Sequence, residues 1–279
     1  MNVIRWLAAS LAISSGLGGG ALAADTGCTP ISSLPFVVES PGTYCVTAYL
    51  RTDQSTGAAI EIRADDVVID MNNWGLDGLA AGAGTQAIGV YAFDRSNISI
   101  GGGGAIRGFS YGIALENSSP DFSNTSGHAI SGVLLELNRS VAIEVRGIGS
   151  TVTGNLVQST GGAPFGGTAA ITVFGPDAYL RQNTIVDTAA QAEDAGGTDI
   201  FLFGAARCQV LENRMVNTVA AHGQSVGVMV WGSPDCVVSQ SEIDNRTTTA
   251  LDVGVYIIDS KSVQTISNKM TNVVKHYLR

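Results

Sequence analysis

The second half of this 279-residue chain repeats itself, and that repetition constrains its fold more than any other feature. Tyr179-Leu180-Arg181-Gln182-Asn183-Thr184-Ile185-Val186-Asp187 aligns with Gln209-Val210-Leu211-Glu212-Asn213-Arg214-Met215-Val216-Asn217. Further copies fill 237–245 and 264–272, and a weaker one spans 151–157. The central residues Asn155, Asn183, Asn213, Ser241 and Asn268 are separated by 28, 30, 28 and 27 positions. A period in this range, with β-branched residues alternating with polar ones, signals a solenoid of short strands.

The alternation also assigns the faces. Two residues after the central Asn stand Val157, Ile185, Met215, Ile243 and Met270. Three before it stand Val152, Leu180, Val210, Val238 and Thr265, and five before it Ser150, Ala178, Cys208, Cys236 and Val263. These mostly apolar positions are expected to point inward. A Gly-punctuated strand precedes most units, as in Ile171-Thr172-Val173-Phe174-Gly175 and Val228-Met229-Val230-Trp231-Gly232. Each coil therefore reads as three short strands and three turns. Coils stacked at the ~4.8 Å strand spacing place like on like, so the central Asn side chains should bond from coil to coil.

These x-Asn-x-Ile/Met units and Gly-punctuated strands resemble the parallel β-helix repeats of the pectin-lyase-like superfamily. Ala64-Asp65-Asp66-Val67-Val68-Ile69-Asp70-Met71-Asn72 and the coil at 89–100 carry the same resemblance. It covers roughly residues 57–274 and leaves the register of 110–150 open. It implies an all-β, single-stranded right-handed parallel β-helix, and the hand agrees with the general crossover preference; the cysteines discussed below add the expectation of a disulfide-tied N-terminal segment. Residues 57–279 are expected to form that domain and 25–56 an N-terminal cap segment. Residues 273–279, or a partner chain, are expected to cover the last coil. The superfold hosts many activities, so the resemblance says little of function.

Residues 1–24 read as an export signal. Arg5 precedes a short apolar core, three glycines break it, and Ala21-Leu22-Ala23 is a small-x-small cleavage site. A secreted or periplasmic protein follows, and export permits disulfides. Cys28 and Cys45 bracket a short loop whose closure would tie down the mature terminus. Cys208 and Cys236 share an inward slot on adjacent coils, close enough to bond but with nearly parallel Cβ vectors, so bonded and free states both stay open. None of the four has metal-site spacing, which argues against zinc. The net charge of −9 excludes the cationic footprint of a nucleic-acid binder. Beyond residue 24 no apolar run is long enough to span a bilayer.

Most charges read as structure. Asp177, Arg207 and Asp235 form one alternating row, and Arg214, Glu242 and Lys269 another, as expected of exposed cross-strand ladders. Tyr91-Ala92-Phe93-Asp94 resembles part of the Y-G-F-D-P-H motif of mannuronan epimerases, but Arg95 and Ser96 replace the Pro-His. Tyr256-Ile257-Ile258-Asp259 repeats the pattern at a turn, so a structural role is the better reading. Polygalacturonase-like enzymes carry N-T-D, G-H-G and R-I-K. Here only Gly197-Thr198-Asp199 and Ala221-His222-Gly223 come near, and the R-x-P-x-x-R of pectate lyases is absent.

The candidate site is a stripe. On the first strand of successive coils the outward positions hold Phe174, Phe203, Trp231 and Ile258, beside Thr172, Phe201, Met229 and Tyr256. Phe201, Phe203, Trp231 and Tyr256 could stack on sugar rings laid along the solenoid; a homo-oligomer interface or a covering loop would bury them instead. The long connections bring Glu193, Asp194, Asp199 and His222 near this face. Paired carboxylates there could act in glycoside hydrolysis or hold Ca²⁺, and a His could act as a base. The expected function is binding or processing of a polysaccharide along this face, by a hydrolase or lyase if it is an enzyme. A non-enzymatic surface protein using the stripe for adhesion or self-association is the alternative.

Overall fold

The computed structural model describes residues 27–164, 166–191, 196–221, 223–247 and 251–278. Among them the chain is a parallel β-solenoid with three strands to a coil. Strands from Phe36–Val38 to Val273–Leu278 stack into a first sheet of ten. A second sheet of ten runs from Thr29–Ile31 to Gln264–Ile266, and a third of nine from Leu50–Arg51 to Lys269–Thr271. Every strand pairing among the described residues is parallel, as coils wound in one direction require. One 3₁₀ turn, Leu79–Ala81, is the helix found among the described residues, and no helix is long and apolar enough to cross a membrane.

The expected faces hold. Val152, Leu180, Val210 and Val238 are stacked in register and fully buried, as are Val157, Ile185, Met215 and Ile243. Only in the last coil do Thr265 and Met270 become partly exposed. Stacking preserves this pattern because a strand of period two cannot slip by one residue without turning its apolar set outward.

The turns explain the polar ladder. The residue before each central position is left-handed: Gly154 at φ 64°, Gln182 and Glu212 at 55°, Gln240 at 53° and Ser267 at 54°. That bend swings the next side chain into the corner. Asn155 N and Nδ2 donate to Asn183 Oδ1 at 3.1 and 3.0 Å, and Asn183 N and Nδ2 to Asn213 Oδ1, both at 3.0 Å. Asn213 N donates to Ser241 Oγ at 3.3 Å and Ser241 N to Asn268 Oδ1 at 3.0 Å. The charge rows pair as expected, with Arg207–Asp177 at 2.6 Å, Arg214–Glu242 at 3.4 Å and Lys269–Glu242 at 3.0 Å.

Two details differ from the sequence reading. First, the solenoid starts before residue 57. Phe36–Val38, Gly42–Val46 and Leu50–Arg51 already occupy the three sheets, so the expected cap segment is itself a coil. Second, residues 110–150 are in register. Ile113 lies 23 residues beyond its partner Val90, and Ile143 30 beyond Ile113, so a shortened coil followed by an insertion at 117–128 hides the period. At the C-terminal end Val273–Leu278, in the segment expected to cover the last coil, stacks on Leu251–Ile258 as a further rung of the first sheet. Both cysteine pairs are bonded, with Cα–Cα distances of 5.8 Å for Cys28–Cys45 and 4.5 Å for Cys208–Cys236. Coil stacking supplies the short separation of the second pair.

Candidate functional site

The outer face of the first sheet carries the site. Register places Glu144, Thr172, Phe201, Met229 and Tyr256 in one outward column. Arg146, Phe174, Phe203, Trp231 and Ile258 form the next. The rings touch in sequence. Phe174 lies 6.1 Å from Phe201 and 5.9 Å from Phe203, and Phe203 lies 5.6 Å edge-on from Trp231. Phe203 is 38% exposed and Trp231 41%, whereas Phe201 and Tyr256 are half-buried, so the run is open to solvent along its outer edge.

One end of the run is framed by the insertion. Phe122, at φ 63°, sets its ring 6.3 Å from Phe174. It rests on two glycines of the following coils: a Cβ at Gly175 would stand 3.3 Å from Phe122 Cβ, and one at Gly204 3.1 Å from its ring. Both glycines have positive φ, so side chains are disfavoured there twice over.

Below the rings lies a groove of about 350 Å³. Phe174, Phe201 and Met229 form its apolar wall, the largely buried Thr168, Thr172 and Thr198 line it as well, and among the described residues Glu144 is its one ionisable lining residue. The Glu144 side chain is 7% exposed and accepts a 2.8 Å bond from Arg146 Nε. The Arg146 guanidinium in turn sits 4.3 Å above the Phe174 ring. Burial pushes the Glu144 carboxyl above its ordinary range; Arg146 opposes this without cancelling it, and the Glu116 carboxylate adds to it. Burial and the same two carboxyls also raise the Tyr111 phenol, and Tyr91 Oη donates to Glu116 Oε2 at 3.4 Å.

The expected catalytic residues are not brought together among the described residues. Glu193, Asp194 and His222 lie outside them. Asp199 is described and faces the interior of a corner, fully buried, rather than the outer face where the sequence reading set it. Its Oδ2 accepts from Thr218 Oγ1, its Oδ1 has no hydrogen-bond partner among the described residues, and burial, opposed by the Thr218 and Thr188 hydroxyls, pushes the carboxyl up to about 7. Among the described residues no group of three His, Cys, Asp or Glu could hold a metal ion, so the Ca²⁺ expectation rests on Glu193 and Asp194. Asp94 is a turn residue at φ 51°, its carboxylate bonded to Ser118 N and Oγ at 2.7 and 2.6 Å. Its repeat Asp259 has φ 48°.

The sequence reading missed Glu144, Arg146 and Glu116. They fall in 110–150, where no register was assigned. The alternation of Glu144-Val145-Arg146, polar about a buried Val, was the available signal.

No family model matches the chain, and no curated protein does. Among solved structures it is similar to the A-module of an Azotobacter vinelandii mannuronan C-5 epimerase, at 13% identity and a TM-score of 0.41 over 91% of this chain and 88% of that one. It is similar to a tailspike protein of Escherichia coli bacteriophage HK620 in complex with a pentasaccharide, at 11% identity and a TM-score of 0.46 over 86% of this chain and 52% of that one. A surface adhesin of Streptococcus pneumoniae matches at 10% identity and a TM-score of 0.36 over 85% and 82%. At these identities and scores the likeness says nothing of what this chain binds or does.

Proposed function

We propose that this is an exported, disulfide-bonded β-helix protein that binds polysaccharide along the outer face of its first sheet. The observation that carries the reading is the contiguous ring run from Phe122 through Phe174 and Phe203 to Trp231, open to solvent beside a hydroxyl-lined groove. Aromatic faces stack on the C–H faces of sugars, and threonine hydroxyls exchange hydrogen bonds with sugar hydroxyls. Scattered exposed rings need no explanation, but a connected file of them does. The two disulfides and the N-terminal signal pattern support export.

The test is the Phe203→Ala/Trp231→Ala double variant. Both side chains are exposed, so the fold should survive. The wild type should be retarded by at least one polysaccharide in affinity gels. The variant should bind it tenfold more weakly or worse, since an aromatic anchor contributes about 1–2 kcal/mol or more. A wild type that ignores every glycan, with a variant that instead changes oligomeric state in sedimentation, would replace this reading with self-association through the stripe.

A further inference from the structure

The groove holds more than a stacking platform needs. Glu144 is a carboxyl in an otherwise apolar and hydroxylic lining, and its side chain is 7% exposed. A buried carboxyl is unfavourable unless it is bonded, and Arg146 provides that bond while itself pinned on Phe174. Glu116 supplies a second carboxylate nearby. It stands two residues beyond Ala114, the register partner of Glu144 on the preceding coil, and on the same outward face. The two share a neighbour in Tyr111, and Tyr91 fixes Glu116 from one coil further back. Two carboxyl groups with unlike surroundings, one sunk in a groove and one half-buried on the preceding coil, are one of the features that acid–base chemistry on a glycosidic bond uses.

Resting on the glycan-binding reading, we propose that Glu144 and Glu116 form the acid–base pair of a glycoside hydrolase site whose substrate is an uncharged polysaccharide. Glu144 gives its proton to the glycosidic oxygen. The bond from that oxygen to the anomeric carbon breaks, and its electron pair stays with the leaving sugar. A water oxygen bonds to the anomeric carbon and yields a proton to Glu116. One water is consumed, two sugar hydroxyls are made, and solvent exchange returns each carboxyl to its starting state. Arg146 is a positioning residue that holds the Glu144 carboxyl at the groove wall. The charge of the face selects the substrate class. Glu61, Glu116 and Glu144 lie along it, while Arg63 and Arg146 are already paired with Glu61 and Glu144. Those two pairs offset themselves, so beside Glu144 a polyuronate would meet the Glu116 carboxylate, for which no salt bridge is found among the described residues.

The test measures binding and turnover together. Mixed-linkage β-glucan, galactomannan, xylan and a soluble α-glucan serve as neutral probes, with polygalacturonate and alginate as charged ones. Wild type, Glu144→Gln, Glu116→Gln and Arg146→Gln are compared by gel retardation and by new reducing ends, after thermal melts confirm folding. A neutral glycan should retard the wild type and gain reducing ends. Glu144→Gln and Glu116→Gln should keep the retardation and lose 10²-fold or more of the rate. Arg146→Gln should move the alkaline limb of the rate profile to higher pH, because the group that holds the Glu144 carboxyl down is gone; a merely structural role would leave that limb in place. Retardation without new reducing ends, or full turnover by Glu144→Gln, overturns the acid–base pair and leaves glycan binding standing. Preference for the charged probes overturns the substrate class. No retardation by any probe overturns the binding reading and this one with it.

Discussion

Asp199 is a residue whose chemistry folding alters strongly. The positions between the flanking register pairs on the adjacent coils, Ala170 and Gly227, are small, and the Asp199 side chain is fully buried. Burial raises its carboxyl to about 7, so the folded chain holds this proton more tightly than the unfolded chain does. The resulting stabilisation is complete below about pH 4 and is lost as pH rises to about 7, an effect of about 4 kcal/mol if taken in full. His128 acts with the opposite sign. It is buried with no hydrogen-bond partner at either ring nitrogen among the described residues, and burial lowers it to about 4, so its contribution is lost as pH falls below its ordinary value near 6.5. Between pH 4 and 6.5 the two slopes oppose each other. We therefore expect these two contributions to offset each other in denaturant unfolding over that range, leaving the decline with rising pH that the raised Glu144 carboxyl adds. Asp199→Asn, which keeps an acceptor for Thr218, should show stability that rises with pH and should exceed the wild type above pH 7. A variant with the wild-type profile would mean that the carboxyl does not titrate in the folded chain.

At the scale of the element, the Asn ladder ties coil to coil at a corner where strand pairing stops. Asn183 accepts from Asn155 N and Nδ2, and its own Nδ2 donates to Val152 O at 2.8 Å. Removing the side chain strands those groups in a buried corner. Asn183→Ala should lower unfolding free energy by roughly 2–4 kcal/mol in urea titrations. Asn183→Ser should be milder, because Ser241 already fills the equivalent place, accepting from Asn213 N and donating to Ser239 O. Equal losses in the two variants would show that packing, not hydrogen bonding, fixes the corner. The ring run is an element of the same kind. It exists because like positions stack, so three coils lend one file of rings, Phe174, Phe203 and Trp231, which Phe122 of the insertion extends.

For the whole molecule, a solenoid is stabilised by the sum of contacts between neighbouring coils. The disulfides act locally in that sum. Cys28–Cys45 spans 17 residues at the first coils, and Cys208–Cys236 spans 28 and bridges two coils deep in the C-terminal half. In the chain-entropy model each contributes roughly 3–4 kcal/mol. Cys208→Ser/Cys236→Ser should lower the denaturation midpoint and speed hydrogen exchange in coils near 200–260, with the N-terminal coils protected as before. Uniformly faster exchange along the chain would show that the coils unfold as one unit instead.

The sequence alone determined the coil. Period, inward parity, the Asn ladder and the charge rows were all legible because stacking repeats one local pattern, and each copy reinforces the next. Sequence pattern also picked out Phe203 and Trp231 as outward. What it could not show was how far along the stack two residues meet, because a single shortened coil and one insertion between 110 and 150 shift every later register. Only the tertiary structure set Glu144 beneath the ring run, brought Phe122 onto Gly204, closed the Cys208–Cys236 bond, and turned Asp199 inward. Those placements depend on contacts between coils, and no residue carries that information within its own segment.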